Sequence, residues 1–371
     1  MEKRLYTPGP LNTSESTKGK MIRDLGSRDF EFIEAVSRIR KGILDVAGLC
    51  QADGYDTVIV QGSGTFGIES VLSSVISDEG KLLLIINGAY GDRMATIARI
   101  HQIDFVELRY AEHETPRLED LVHLIQVESD ITHVAMVHCE TTTGIFNDIK
   151  EIGRFVSDHG RVFIVDAMSS FGAVPIDFLA CGISFLISSS NKCLEGVPGF
   201  SLVIGRRDLI RECEGRARTL SLDLFAQWLE LECNGQFRFT PPVQVLMAFH
   251  QALVELFEEG GVDARAHRYI RNNRVLIDGM RSMGFDTFLD DDHQGYIITT
   301  FLRPADKAFD FSLFYEKLNE RGFVIYPGKL TGANTFRIGN IGQLHAADIY
   351  DLLEAVSDVV NELGIVSCSG S

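Results

Sequence analysis

A chain of 371 residues, 45% hydrophobic and 23% charged, has the balance of a folded protein with room for two domains, which excludes a disordered or fibrous chain. Its 35 Lys and Arg stand against 52 Asp and Glu, a net charge of −17; that sign disfavours nucleic acid or a membrane surface as partner, and an anionic substrate needs a local cationic pocket. The seven cysteines (Cys50, Cys139, Cys181, Cys193, Cys213, Cys233 and Cys368) are scattered and contain no C-x-x-C pair, so the expectation is reduced thiols, with neither a disulfide framework nor a metal site.

The opening residues, MEKRLYTPGPLNTSES, lack the apolar stretch of a signal peptide. Apolar runs elsewhere are short, such as LLLII at 82–86, far below the ~20 residues that span a bilayer. A cytoplasmic protein is expected.

Residues 57–206 alternate short apolar runs with amphipathic stretches. The runs are TVIVQ (57–61), LLLIIN (82–87), DFVELRY (104–110), HVAMVH (133–138), VFIVDAM (162–168), SFLISSS (184–190) and FSLVIGR (200–206), each of strand length. Between them lie helical patterns such as RLEDLVHLIQVES and DIKEIGRFVSDHG, the second closed by Gly160. Alternating βα units with strands apolar on both faces predict an α/β fold whose large domain holds a mostly parallel, seven-stranded sheet covered by helices.

After residue 242 the pattern changes. PVQVLMAFHQALVELFEEGG predicts a long helix stopped at Gly260 and Gly261, and VDARAHRYIRNNRVLIDGMRSMG predicts another. YIITTFL, a helix over 310–321, FVIYPG, TFRIGN and a final helix near 346–363 complete a smaller α+β domain. The expected division is 1–260 and 261–371, with residues 1–20 free to pack against either part and the tail SCSGS frayed.

Several strand ends carry chemistry. In QGSGTFGIES, Gly62, Gly64 and Gly67 match G-x-G-x-x-G between a strand and a helix, the pattern of a dinucleotide fold. That fold also wants an acid at the end of the next strand, where Asn87 and Gly88 stand instead. What survives is a glycine turn that offers backbone N–H groups, with the Ser63 and Thr65 hydroxyls, to a single phosphate. Taken alone, the loop fits a plain tight turn about as well.

Asp166 in VFIVDAMSS ends a buried strand, at the edge where open α/β sheets bind ligands, and a buried acid wants a cation or donors. Capping the next helix is the equal alternative. Lys192 in ISSSNKCLEGVPG lies just past another apolar strand ending in Ser188, Ser189 and Ser190. On its own it reads as a solvated surface charge. A lysine in a dry site, however, has a lowered pKa and can form a Schiff base. A carboxylate aimed at a pyridine nitrogen makes that ring an electron sink. With the phosphate loop, these are the three requirements of pyridoxal phosphate.

Tyr90 in NGAYGDRM is placed to stack on such a ring or to pack in the core. HCETTTG puts Glu140, Thr141, Thr142 and Thr143 at a further strand end, where plain turn chemistry competes with a bond to the ring's phenolic oxygen. Arg337 in TFRIGNIG sits amid Phe336 and Ile338 and needs an anion, either a carboxylate substrate or a structural partner. Arg216 and Arg218 fit a surface or subunit contact better.

With those residues in hand, the chain resembles the class V, fold-type I pyridoxal-phosphate aminotransferases along nearly its whole length. The matching strings are TPGPL, QGSGTFGIESVL, NGAYGDRM, VHCETTTG, VDAMSSFG, SSSNKCLEGVPGF, GRARTLSLDLFAQW, FVIYPGK and FRIGNIG. TPGP is shared across the class, whereas GRARTLSLDLFAQW and VIYPGK resemble its phosphonate-handling members. The resemblance implies that Lys192 anchors the cofactor and catalyses, and that Asp166 partners the pyridine nitrogen. It further places Ser63, Gly64, Thr65 and Ser189 on the phosphate, Tyr90 on the ring, Thr141 near the phenolic oxygen and Met168 beside the cofactor. Arg337 would bind the substrate anion. A homodimer with sites at the interface is implied too, Thr240 in RFTPP being lent to the neighbour's phosphate.

The activity so implied is transfer of the amino group of 2-aminoethylphosphonate to pyruvate, in phosphonate breakdown. A serine–pyruvate or alanine–glyoxylate aminotransferase shares every feature except the donor. A cysteine desulfurase needs a nucleophilic cysteine on a mobile loop, for which Cys193 and Cys368 are poorly placed. A nicotinamide-dependent dehydrogenase or nucleotide-binding module lacks its ribose acid.

Overall fold

The computed structural model describes residues 3–330 and 332–370. Twelve strands are formed among them: β1 Arg4–Leu5, β2 Tyr55–Gln61, β3 Lys81–Ile86, β4 Asp104–Arg109, β5 Ile131–Val137, β6 Val162–Asp166, β7 Phe185–Ser189, β8 Phe200–Arg206, β9 Ile298–Leu302, β10 Phe323–Val324, β11 Tyr326–Pro327 and β12 Thr335–Gly339. β2 to β8 make one seven-stranded sheet in the order β2-β8-β7-β6-β5-β3-β4. β3 to β7 pair in parallel, and β8 lies antiparallel to both β2 and β7. The mostly parallel sheet expected from the βα alternation is therefore present.

Burial follows the apolar pattern. β6, β7 and β8 are buried nearly throughout, because helices cover both faces. β4 departs from this: it is half-buried, with Asp104 and Arg109 exposed. As an edge strand it has one neighbour, and its charged residues shield the free edge. Helix ends are also as their sequences predict. Asp148 accepts from the amides of Lys150 and Glu151 at the start of helix Ile149–Asp158, and Gly160, at φ +67°, turns the chain away after it.

Two strands stop earlier than their apolar runs suggest. β6 ends on Asp166 and β7 on Ser189, so Met168 and Lys192 lie in loops at the carboxyl edge of the sheet. That edge is where the site is built.

β9, β11 and β12 form a second, antiparallel sheet, and β1 pairs in parallel with β10. Beneath it Phe285, Phe301, Phe314 and Phe336 pack as one aromatic core that also takes in Tyr6. The amino-terminal segment is thus stitched to this part, with the amide of Gly339 donating to the Tyr6 carbonyl at 3.0 Å. Helix Gly261–Ser282 serves both parts. Tyr269 packs with Cys193 and Leu11 in a small cluster between them, whereas Leu276 and Met280 join the aromatic core. No described helix is long and apolar enough to cross a membrane.

Candidate active site

The ends of β2, β3, β5, β6 and β7 surround a cavity of about 180 Å³ lined by Ser63, Gly64, Thr65, Tyr90, Thr141, Asp166, Met168, Ser189 and Lys192 among others. Nine residues singled out in the sequence are therefore brought together. Arg337 and Thr240 are not among those lining it.

Ser63 precedes helix Gly64–Val75, whose first turn presents free amides, and its side chain makes no capping bond. The Ser63 and Ser189 hydroxyls have no hydrogen-bond partner among the described residues. A Cβ on Gly64 would stand 2.4 Å from the Met168 sulfur, so glycine here lets the loop close over Met168. These groups form a cradle for a phosphate.

Asp166 is 4% exposed. One carboxylate oxygen accepts from the Met168 amide at 2.9 Å, and the other has no hydrogen bond among the described residues. Burial pushes its pKa up to about 6, against a smaller opposing pull from Lys192. A cation at the free oxygen would reverse that shift. The Lys192 amine likewise has no hydrogen bond or ion pair among the described residues, and burial lowers its pKa to about 8. An amine of that kind is neutral often enough near pH 7 to attack a carbonyl. The free hydroxyls, the half-satisfied acid and the unpaired amine together fit pyridoxal phosphate.

Two anchors fix Lys192. The carbonyl of Lys192 accepts from the Glu195 amide at 2.8 Å. Glu195, buried and held at φ +57°, takes bonds from Arg268 Nη2 and Gln343 Nε2, both at 2.7 Å, and from the Tyr269 hydroxyl. From the other side Gly9, at φ +118°, presses on the lysine stem; a Cβ there would lie 2.6 Å from Lys192 Cδ. The TPGP turn is thus part of the site because only glycine fits between it and Lys192.

The Tyr90 ring lines the cavity, with Arg93 over it at 4.8 Å and Arg93 Nη1 donating to Thr65 Oγ1 at 3.1 Å. The Tyr90 amide donates to Glu140, a fully buried acid whose pKa burial pushes up to about 7. Thr141 exchanges a 2.6 Å bond with Ser169, and its carbonyl accepts from Arg337 Nη1 at 3.0 Å. Arg337 is 1% exposed, and its Nε donates to the Pro327 carbonyl at 3.1 Å. No carboxylate pairs with it among the described residues, so the structural salt bridge that was the alternative is absent there.

Thr240 is exposed, and its carbonyl accepts from Gln61 Nε2. It lies in a separate cleft with Arg238 and Phe239. Arg218 takes a structural place instead of a surface one: it donates to the Ile76 carbonyl at 2.7 Å and meets Asp78 at 3.1 Å, closing the end of helix Gly64–Val75. Sequence reasoning missed Gly9, Arg93 and the buried role of Glu195. Arg93 had a signal, three residues after Tyr90 on one helix face; Gly9 had only its motif.

A model of the Aminotransferase class-V family matches residues 11–337. A 2-aminoethylphosphonate–pyruvate transaminase of Phocaeicola vulgatus is 50% identical over 357 residues, which cover 96% of this chain and 98% of that protein. A bifunctional phosphonoacetaldehyde hydrolase/aminoethylphosphonate transaminase of Clostridioides difficile is 45% identical over 358 residues, 96% of this chain and 56% of that longer protein. Among solved structures, ureidoglycine–glyoxylate aminotransferase from Bacillus subtilis has a TM-score of 0.90 at 23% identity, covering 99% of this chain and 95% of that one, a likeness of fold alone.

Proposed function

This chain belongs to the class-V aminotransferases, and we propose that within the family it moves the amino group of 2-aminoethylphosphonate to pyruvate, leaving phosphonoacetaldehyde and L-alanine. The observation that carries this reading is identity of about half the residues, across almost the full length, to transaminases named for that donor and acceptor. The Clostridioides difficile relative, whose name joins a phosphonoacetaldehyde hydrolase to the transaminase, supports the aldehyde as product and a role in phosphonate breakdown.

Pyridoxal phosphate, when bound, supplies an aldehyde that takes up the amine and a protonated ring that withdraws electrons from the neighbouring carbon. Ser63, Ser189 and the amides of Gly64 and Thr65 would hold its phosphate. Tyr90 and Met168 would bound its ring, and Thr141 would lie near the phenolic oxygen. The free oxygen of Asp166 would face the ring nitrogen and favour its protonated form. Lys192 Nζ would hold the cofactor and would take the proton from the carbon bearing the donor nitrogen, a role for which its lowered pKa leaves it unprotonated often enough near pH 7. Arg337 receives the phosphonate in one half-reaction and the carboxylate in the other. We place the protein in the cytoplasm as a homodimer whose exposed Thr240 reaches the partner's phosphate.

The visible band of the holoenzyme should bleach with 2-aminoethylphosphonate and return with pyruvate. A band that answers only to serine or alanine would keep the fold and chemistry and overturn the donor. A second expectation concerns pH. Only the neutral amine attacks, so capture of pyridoxal phosphate by apoenzyme should speed up about tenfold per pH unit until Lys192 is deprotonated. The rise should level off near pH 8, where Lys192 titrates; stopped-flow absorbance that climbs on towards pH ~10, the ordinary lysine value, would contradict the dry site.

A further inference from the structure

Glu195 follows Lys192 by three residues in the loop between β7 and β8 and is held at φ +57°. An L side chain is disfavoured there, and glycine is the residue that settles easily. Such an outlier persists where its surroundings over-determine it, which points to a task for the side chain. Glu195 is also only 2% exposed, and an acid so buried must be fully paired.

Its partners come from the far part of the chain. Oε1 accepts from Arg268 Nη2 at 2.7 Å and from the Tyr269 hydroxyl, both on helix Gly261–Ser282. Oε2 accepts from Gln343 Nε2 at 2.7 Å. The Tyr269 hydroxyl oxygen in turn accepts from the Gly342 amide at 3.0 Å, so the helix and the 342–343 segment close on one carboxylate. That segment continues from β12, the strand of Arg337, and Gln343 follows Arg337 by six residues. Arg337 itself reaches the cavity loop through its 3.0 Å bond to the Thr141 carbonyl. On the other side, the Glu195 amide donates to the Lys192 carbonyl at 2.8 Å. One buried residue thus ties the backbone of the proposed base to the strand of the proposed anion binder. Glu195 does not line the cavity, so any effect it has on the reaction passes through Lys192.

We infer that Glu195 is a positioning residue for the proton transfer: it locks the Lys192 loop to the segment carrying Arg337, so that the amine stays in register with a substrate held by its anion. This role rests on those proposed for Lys192 and Arg337 and deepens them, because proton transfer demands that the two groups keep one spacing. It also accounts for a strained glutamate where glycine would fit with less cost.

The test uses holoenzyme in single turnovers with 2-aminoethylphosphonate alone, read as bleaching of the visible band per bound cofactor. Glu195→Gly suits the backbone at φ +57° and removes the tie. It should slow bleaching at saturating donor about 10- to 100-fold, the scale of a reacting group misplaced by about an ångström. The donor concentration giving half the maximal rate should stay within about threefold, because both bonds of Arg337 remain. Glu195→Gln keeps an oxygen for Arg268 and Tyr269 and can donate to a turned Gln343 amide, so it should recover most of the rate. Gln343→Leu removes one bond and should slow bleaching about 3- to 10-fold, with little further loss when added to Glu195→Gly. Should Glu195→Gly not fold, Gln343→Leu decides. A wild-type rate in the folded variant, or a loss confined to donor affinity, would overturn the inference, since a merely structural tie lowers stability and leaves the rate per bound cofactor alone. Near-normal turnover in Lys192→Ala would remove the proposed base and this inference together, whereas an inert Lys192→Ala beside a normal Glu195→Gly would remove the inference alone. Where only alanine or serine bleaches the wild type, the donor reading falls and the same variants are read with that amine.

Discussion

Lys192→Ala is expected to fold normally, to bind pyridoxal phosphate without a covalent link and to lose transamination by about 10³- to 10⁴-fold or more, the scale of a missing general base. Folding should be spared because the Lys192 amine has no bonded partner among the described residues to leave stranded. Removing a cation whose charged form burial already disfavours costs the native state little. The loss should appear in single turnovers with donor alone, which isolate the proton transfer assigned to Lys192 from the second half-reaction. Small amines such as methylamine should restore a fraction of the rate by entering the space the side chain leaves. Near-normal turnover in the variant would end the assignment of Lys192.

Much of this site could be read from sequence because parallel α/β sheets gather their strand ends on one edge. Asp166 and Lys192 each follow a run of apolar strand residues, and a lone charge at that position is expensive unless it has a task. Both proved to line one cavity. The glycine loop at 62–65 was ambiguous on its own, and the missing acid at Asn87 decided against a dinucleotide.

What stayed hidden depends on partners far apart in the chain. Arg337 meets Thr141 across 196 positions, and Gly9 meets Lys192 only because the amino-terminal segment hangs on the small sheet. No local period carries such contacts. Arg218 reads as a surface charge until the helix end at Ile76 is folded beneath it. β4 was misread as buried on both faces because its apolar run resembles its neighbours', while its place at the edge is a property of topology.

The remaining large effect belongs to Asp166. Asp166→Asn keeps the oxygen that accepts from the Met168 amide, so the strand end and the fold should survive. It replaces the free carboxylate oxygen with either a neutral oxygen or an amide donor, and neither can hold a proton on the ring nitrogen. Losing one partner of a buried charge pair costs about 3–5 kcal/mol, which corresponds to a rate loss of about 10²- to 10⁴-fold if the pair acts in the transition state. Lys192 is untouched, so the variant should keep the band of covalently held cofactor and yet bleach slowly with donor. That pattern differs from Lys192→Ala, which should lack the covalent band altogether, and the two variants together separate anchoring from electron withdrawal. Raising the donor concentration should not rescue Asp166→Asn if, as proposed, the acid serves the cofactor and not the substrate. Bleaching within tenfold of wild type would mean that the buried acid, lifted to about 6 by burial, is a structural cap at the end of β6 and that the ring is activated by something else.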